Sequence, residues 1–331
     1  MLSVKLTNGR EFPVVSGKSL LDGALTAGLA WPYSCKTGRC QSCKCKLLQG
    51  KTTALHLEVG LSDTEKQDNW ILSCVRIAST DLLLDVGDLC DVELPLVKLV
   101  PSRISEIDRL APDVVRIQLR LPPATDFKFI PGQYIDVIGP HGLRRSYSLA
   151  NADFANHTLE LHIRAVDGGA MSDYWFNQAQ VNDLLRLNGP LGTFFLRDTS
   201  NLDLIFLATG TGIAPVKAMV ESIANLSLDQ RPKSITVLWG GRTEKDLYLD
   251  VRKFPVPHCF VPVLSKGPAE WSGASGYVQH ALLDLKRDLS NSAVYACGSD
   301  AMIRDASVAL IGAGLKPQNF YSDAFVCSAN T

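Results

Sequence analysis

The chain has 331 residues, with 33 Lys plus Arg against 34 Asp plus Glu and a formal net charge of −1; this length predicts two to three domains, and the even balance argues against a nucleic-acid partner. A hydrophobic share of 46% with 20% charged residues excludes a disordered chain, and apolar runs such as 204–208 fall far short of the roughly 20 residues of a membrane helix, so no membrane partner is expected. The opening residues, Met1 to Phe12, lack an apolar core behind a basic head and do not read as a signal peptide. Without a signal, nine cysteines are better read as metal ligands or plain thiols than as a disulfide framework.

Three zones follow in chain order, set as domains 1–95, 99–198 and 199–331. The first holds six of the nine cysteines. It opens with two short strands around Asn8-Gly9, a hairpin turn in which both residues tolerate positive φ. A helix over Ser19 to Gly28, a cysteine-rich loop, a Ser62-x-x-Glu65 capping box and a strand over 81–86 complete it. Glu93 to Pro101, with two prolines, reads as a linker. The second zone is mostly strands (114–121, 134–138, 145–149 and 159–165) with one helical piece over 172–180, the pattern of an antiparallel β-barrel or sandwich. In the third, apolar runs at 204–208, 235–239, 259–264 and 293–296 alternate with helices over 214–224 and 301–311. Buried parallel strands joined by helices, an α/β sheet, are the natural reading.

Cys35, Cys40 and Cys43 are spaced C-x4-C-x2-C, and Cys74 follows after 30 residues. This is the spacing of plant-type [2Fe–2S] ferredoxins, a β-grasp fold, and makes these four the cluster ligands. Gly38 supplies the backbone freedom a tight loop around an anionic cluster needs. Structural zinc would need a second closely spaced cysteine pair, and a Rieske centre two nearby histidines; neither is present. Gln41 departs from the Gly or Ser of similar ferredoxins. Cys45, Cys90, Cys259 and Cys327 have no partner pattern and read as ordinary thiols. Lys36, Arg39, Lys44 and Lys46 near the loop suggest either a basic rim for an acidic partner or a solvated charged loop.

Arg145-Ser146-Tyr147-Ser148, preceded by Pro131-Gly132-Gln133-Tyr134, resembles the R-x-Y-S motif of the ferredoxin–NADP⁺ reductase superfamily. The resemblance implies FAD. Arg145 would meet the pyrophosphate, Tyr147 the ring plane, and Ser148 the flavin N5 as a catalytic residue. It adds Ile163 and Arg164, and a pyrophosphate cradle at Gly169, Ala170, Met171 and Ser172. Alternation sets Ser148 on the opposite face from Arg145 and Tyr147 unless the strand ends there. Gly210-Thr211-Gly212, with Pro215 opening a helix, resembles the same superfamily's nucleotide turn. Cys297-Gly298 resembles its nicotinamide site, with Cys297 beside the reacting ring, and Phe325 near the chain end is implied to lie by the flavin. Arg242 suits a 2′-phosphate and Glu244 a free ribose; the resemblance favours NADH, with NADPH as the alternative.

The whole chain thus resembles a ferredoxin-fused flavoprotein reductase. That resemblance implies electron flow from NADH to FAD to [2Fe–2S] to a partner protein, in the cytoplasm. Two subfamilies share the order of parts. One is similar to CDP-6-deoxy-Δ3,4-glucoseen reductases and serves a nucleotide-sugar deoxygenating dehydrase; 132–136, 192–195, 295–299 and 320–325 resemble it more. The other supplies ring-hydroxylating dioxygenases and other oxygenases, directly or through a ferredoxin component. A non-catalytic iron–sulfur sensor or carrier is the competitor from another class, and the intact flavin and nucleotide motifs speak against it.

Overall fold

The computed structural model describes residues 2–15, 17–89 and 92–325; Cys90 and Cys327 lie outside them. The described residues form two compact units, one within 2–94 and the other 95–325. No helix among the described residues is long and apolar enough to cross a membrane.

The first unit is a β-grasp. Strand Ser3–Leu6 pairs antiparallel with Glu11–Pro13 and parallel with Leu82–Asp85, which pairs in turn with Lys44–Gln49. Helix Leu20–Thr26 starts where the Ser19 side chain accepts from the Asp22 N–H, and Gly28 leaves it at φ +77°. Its buried Leu20, Leu21 and Ala24 join Trp31, Leu72 and Leu84 in one core. The capping box at Ser62 and Glu65 forms as the spacing predicts and contributes about 1 kcal/mol to helix Asp63–Gln67. The Asn8-Gly9 turn differs from expectation in detail. Gly9 takes φ +86°, while Asn8 stays at negative φ because its side chain accepts from the Arg10 N–H.

In the second unit, six strands form an antiparallel sheet that closes on itself. Strand Arg144–Ser148 pairs with Tyr134–Ile138 at one end of the order, and Thr158–Arg164 pairs with Val114–Arg120 at the other. A bridge between Leu149 and Leu161 and the Ala150 N–H on the Glu160 carbonyl at 2.8 Å join the two ends. The result is a barrel filled by Ile104, Ile117, Leu119, Ile135, Val137 and Leu187. The linker expected over 93–101 is shorter than that: strand Lys98–Ala111 begins inside it. Pro101 is tolerated because 98–102 pair only with Leu184–Leu191, and pairing with Val114–Arg120 starts at Arg103, so the missing N–H costs no ladder bond.

The remainder is a six-stranded parallel sheet in the order 274–275, 259–264, 234–241, 203–209, 292–299, 320–325. Helix Ile213–Ile223 leaves the end of strand Asp203–Thr209, and helix Asp300–Gly312 leaves strand Ser292–Ser299 with Ser299 capping the Met302 N–H. The central strands are apolar on both faces because helices cover both.

Candidate functional site

The cysteine loop is held in a conformation that glycine favours. Gly38 sits at φ +74°, and a Cβ there would stand 2.9 Å from the Leu57 carbonyl. Lys36 and Gln41 also take positive φ, at 54° and 64°. Gln41 thus occupies a backbone state in which Gly is the less strained choice. The loop turns backbone N–H groups onto sulfur: Thr37 donates to Cys35 Sγ at 3.3 Å and Cys35 to Cys40 Sγ at 3.5 Å. The Arg39 N–H also reaches Cys35, and those of Gly38 and Cys74 reach the Cys74 sulfur.

The four thiols form two hydrogen-bonded pairs, Cys35 with Cys40 and Cys43 with Cys74. Among the described residues no group of three acidic, His or Cys side chains suits a single ion. Two pairs ringed by amides fit a binuclear, anionic cluster with two thiolates per iron. The hydrogen bond from Cys40 draws the Cys35 thiol down to about 5, and that from Cys43 lowers Cys74; Cys40 and Cys43, as donors, are raised.

A support absent from the sequence reading lies behind Cys74. The buried Glu58 accepts the Leu72 N–H at 2.7 Å and pairs with Arg76. The Ser73 N–H and hydroxyl both reach the Cys43 carbonyl at 3.1 Å. Nothing in the local sequence marks Glu58, since its partners lie 14 and 18 residues away. Cys45 is buried in the core, where burial pushes its thiol up to about 12, and Cys259 is exposed. Two of the four rim cations have carboxylate partners, Lys36 with Asp22 and Lys44 with Glu65, while Lys44 and Lys46 lie over Trp70.

On the barrel, Arg144 is engaged by Asp136, whereas the exposed Arg145 forms no ion pair among the described residues. Tyr147 is half-buried, its ring edge-on to Trp175 and its hydroxyl accepting from Trp175 Nε1 at 2.9 Å. Ser148 is the last residue of its strand and pairs in register with Tyr134. Its buried hydroxyl donates to Asp323 Oδ2 at 3.4 Å. Helix Ala170–Asp173 starts at Gly169 with no side-chain cap, which leaves its first amides without intrahelical partners. Met171 packs beside Gly139, at the end of the strand that pairs with Arg144–Ser148, so the helix start adjoins the Arg145 strand. An uncapped turn of amides, an unpaired cation and an aromatic plane on neighbouring elements fit a flavin dinucleotide.

Other expected contacts are spent differently. Ile163 and Met171 are buried in the barrel core, so only their backbones face outward. The Ser172 hydroxyl accepts the Val166 N–H at 2.9 Å, and Arg164 pairs with Asp113 and Asp246. Arg145→Leu is expected to weaken FAD retention about 10–100-fold, read by flavin fluorescence on dilution; unchanged retention removes Arg145 from the site.

At the carboxyl edge of the parallel sheet, the turn Gly210–Gly212 packs on Cys297-Gly298. A Cβ on Gly212 would stand 2.2 Å from the Cys297 carbonyl, and one on Gly298 2.0 Å from Thr209 Oγ1. Pro215 sits in the first turn of helix Ile213–Ile223, where its missing N–H costs nothing. Cys297 is wholly buried; burial, and then the Asp323 carboxylate opposite it in register, push its thiol up, so it is a neutral group and not a nucleophile. Phe325 is exposed and opposite Ser299. Arg242 and Glu244 are both exposed, with the Arg242 N–H on Asp246 at 3.0 Å. Ser148, Asp323 and Cys297 thus bring the barrel strand and the nucleotide edge together, through an aspartate the sequence reading left without a role. A cavity of about 1140 Å³, lined by Tyr248, Phe254, Phe260 and Trp271 among others, includes Glu244 but none of the other residues assigned to a cofactor.

This geometry defines an iron–sulfur flavoprotein reductase. Residues 4–79 match the 2Fe-2S iron-sulfur cluster binding domain, 101–196 the oxidoreductase FAD-binding domain, and 206–308 the oxidoreductase NAD-binding domain. The chain is 40% identical to the CDP-6-deoxy-L-threo-D-glycero-4-hexulose-3-dehydrase reductase of Yersinia pestis, over 99% of each chain. It is 30% identical to reductase component 1 of terephthalate 1,2-dioxygenase from Comamonas sp, over 96% of this chain and 95% of that one. The crystal structure of the Amycolatopsis cytochrome P450 reductase GcoB is similar at a TM-score of 0.78 and 27% identity, covering 99% and 100% of the two chains. The chain belongs to the family of reductases that join a [2Fe–2S] ferredoxin domain to FAD- and NAD-binding domains. It is an oxidoreductase that moves electrons from NAD(P)H by way of FAD to a [2Fe–2S] cluster and on to a protein acceptor. When bound, FAD takes two electrons at once from the nicotinamide and releases them singly, matching a cluster that carries one at a time.

Proposed function

We propose that the electron acceptor is a nucleotide-sugar deoxygenating dehydrase and that NADH is the donor. The observation that carries this reading is the 40% identity over 99% of both chains to a reductase of a CDP-6-deoxy-hexulose dehydrase, against 30% to the dioxygenase component. The division of labour is domains 1–95, 99–198 and 199–331, acting in the cytoplasm, where NADH is kept reduced. Cys35, Cys40, Cys43 and Cys74 hold the cluster. Arg145 and the amides of 169–172 hold the FAD pyrophosphate, with the backbones of Ile163 and Arg164 alongside. Tyr147 lies against the ring, Ser148 offers its hydroxyl to N5, and Phe325 covers the flavin. Gly210, Thr211, Gly212 and Pro215 admit the nucleotide, Arg242 faces its ribose end, and Cys297 with Gly298 lines the nicotinamide. The buried, neutral Cys297 supports a packing role there, since no proton has to leave it.

Reconstitution tests the reading. With a CDP-6-deoxy-hexulose dehydrase present, NADH oxidation is expected to couple to deoxysugar formation, with NADPH the poorer donor. Coupling to an oxygenase component but not to the dehydrase overturns the choice of partner, and a tenfold preference for NADPH overturns the choice of coenzyme.

A further inference from the structure

Helix Ile213–Ile223 begins directly after Gly212, and its fifth residue, Lys217, reaches back to the barrel. The Lys217 ammonium donates to the Ala150 carbonyl at 2.9 Å, two residues beyond Ser148. It also pairs with Glu160 at 3.3 Å and with Glu221 at 3.0 Å. Ala150 is held from both sides, because its N–H already donates to the Glu160 carbonyl.

Behind Lys217 the chain of contacts continues to the other flank of the nucleotide turn. Glu160 Oε1 lies 2.9 Å from His162 Nε2, and His162 Nδ1 lies 3.2 Å from the Tyr248 hydroxyl. These partners assign the neutral ring with hydrogen on Nε2, so Tyr248 donates to Nδ1. Burial pushes the His162 pKa down, which keeps that ring neutral. Burial pushes the Glu160 carboxyl up, but His162 and Lys217 outweigh it and hold the group at about 2. The Tyr248 ring stands edge-on to Trp239 at 5.2 Å, and Trp239 Nε1 donates to the Gly210 carbonyl at 2.9 Å.

We propose that Lys217 is a positioning residue: backed by Glu160, His162 and Tyr248, it sets the spacing between the flavin strand and the nucleotide turn and thereby where the bound nicotinamide meets the flavin. The inference rests on the assignment of 144–148 to FAD and 210–215 to the nucleotide given above. A lysine does this better than an apolar residue because one ammonium satisfies a carbonyl and two carboxylates in directions that fix the helix in three dimensions. Misplacing a reacting pair by about 1 Å costs on the order of 100-fold in rate.

The test compares Lys217→Met and Lys217→Arg in the cofactor-loaded protein. In Lys217→Met, the limiting rate of flavin reduction by NADH is expected to fall ~10–100-fold with the NADH dissociation constant within ~3-fold and the FAD and iron content unchanged. Amide exchange over 209–218 in the unliganded protein is expected to quicken ~10-fold or more while 292–299 stays protected. Lys217→Arg keeps the cation and is expected to restore both. An unchanged rate, or a loss that arginine does not restore, overturns the proposal. If Lys217→Met does not fold, Tyr248→Phe decides: it keeps the ring and loses the hydroxyl, and a rate drop of ~3–10-fold is expected, an unchanged rate being fatal. Gly212→Ala separates the two levels. If it leaves flavin reduction intact, the assignment of the turn is wrong; if it abolishes reduction while Lys217→Met does not slow it, only the role of Lys217 is wrong.

Discussion

Cys74→Ser is expected to cut NADH-driven reduction of cytochrome c, a one-electron acceptor, by at least ~100-fold while ferricyanide reduction through the flavin stays within about twofold. The reason lies in the separation of ligand from scaffold. Cys74 stands in the turn Ser73–Val75, which Ser73 anchors to the Cys43 carbonyl and Glu58 ties through Leu72 and Arg76. Those bonds survive the loss of the thiol, so the first unit keeps its fold and loses the cluster. The readouts are iron content, the visible spectrum and the two acceptor assays on the same preparation. Equal loss with both acceptors would mean that the cluster is not the exit for single electrons.

Gly212→Ala carries the second large effect. Its backbone angles, φ −59° and ψ −14°, suit any residue, so the obstacle is purely steric: the new Cβ meets the Cys297 carbonyl at 2.2 Å. The neighbouring atom is backbone on a central strand, which cannot swing away as a side chain can. The turn has to move, and flavin reduction by NADH is expected to slow ~100-fold with FAD and cluster retained and dithionite reduction normal. Gly312→Ala is the control, since its Cβ meets nothing within 4 Å, and it is expected to leave turnover unchanged. Stopped-flow absorbance at the flavin band reads both variants.

Much of this site was legible because its chemistry is local. The cysteine loop is one short run with Gly38 inside it, and of the four cysteines expected to hold the cluster Cys74 alone comes from afar. The capping box, the Gly28 stop and the apolar runs of the parallel sheet were read from neighbours a few residues apart, and each formed where expected. What went unread depends on contacts that only folding creates. Strand Lys98–Ala111 passed for linker because prolines mark breaks, and nothing local says that its first residues pair on one side only. Glu58, Asp323 and the Lys217 cluster are ordinary charged residues in sequence, and their partners stand up to 175 residues away.

Length and charge balance limit the chain to a few domains without a basic excess, and its motifs indicate which cofactors it carries. That much follows from residue types and spacings, because most of the groups that mark a cluster or a phosphate site lie within short runs of the chain. The tertiary structure decided which of those residues remain available to a ligand. It spends Met171 and Ile163 on the barrel core and Arg164 on two aspartates, and brings Asp323 to Ser148. It also ties helix Ile213–Ile223 to the Ala150 carbonyl, two residues beyond strand Arg144–Ser148, through Lys217. Burial and distance set those outcomes, and both are properties of the packed chain, not of any segment alone.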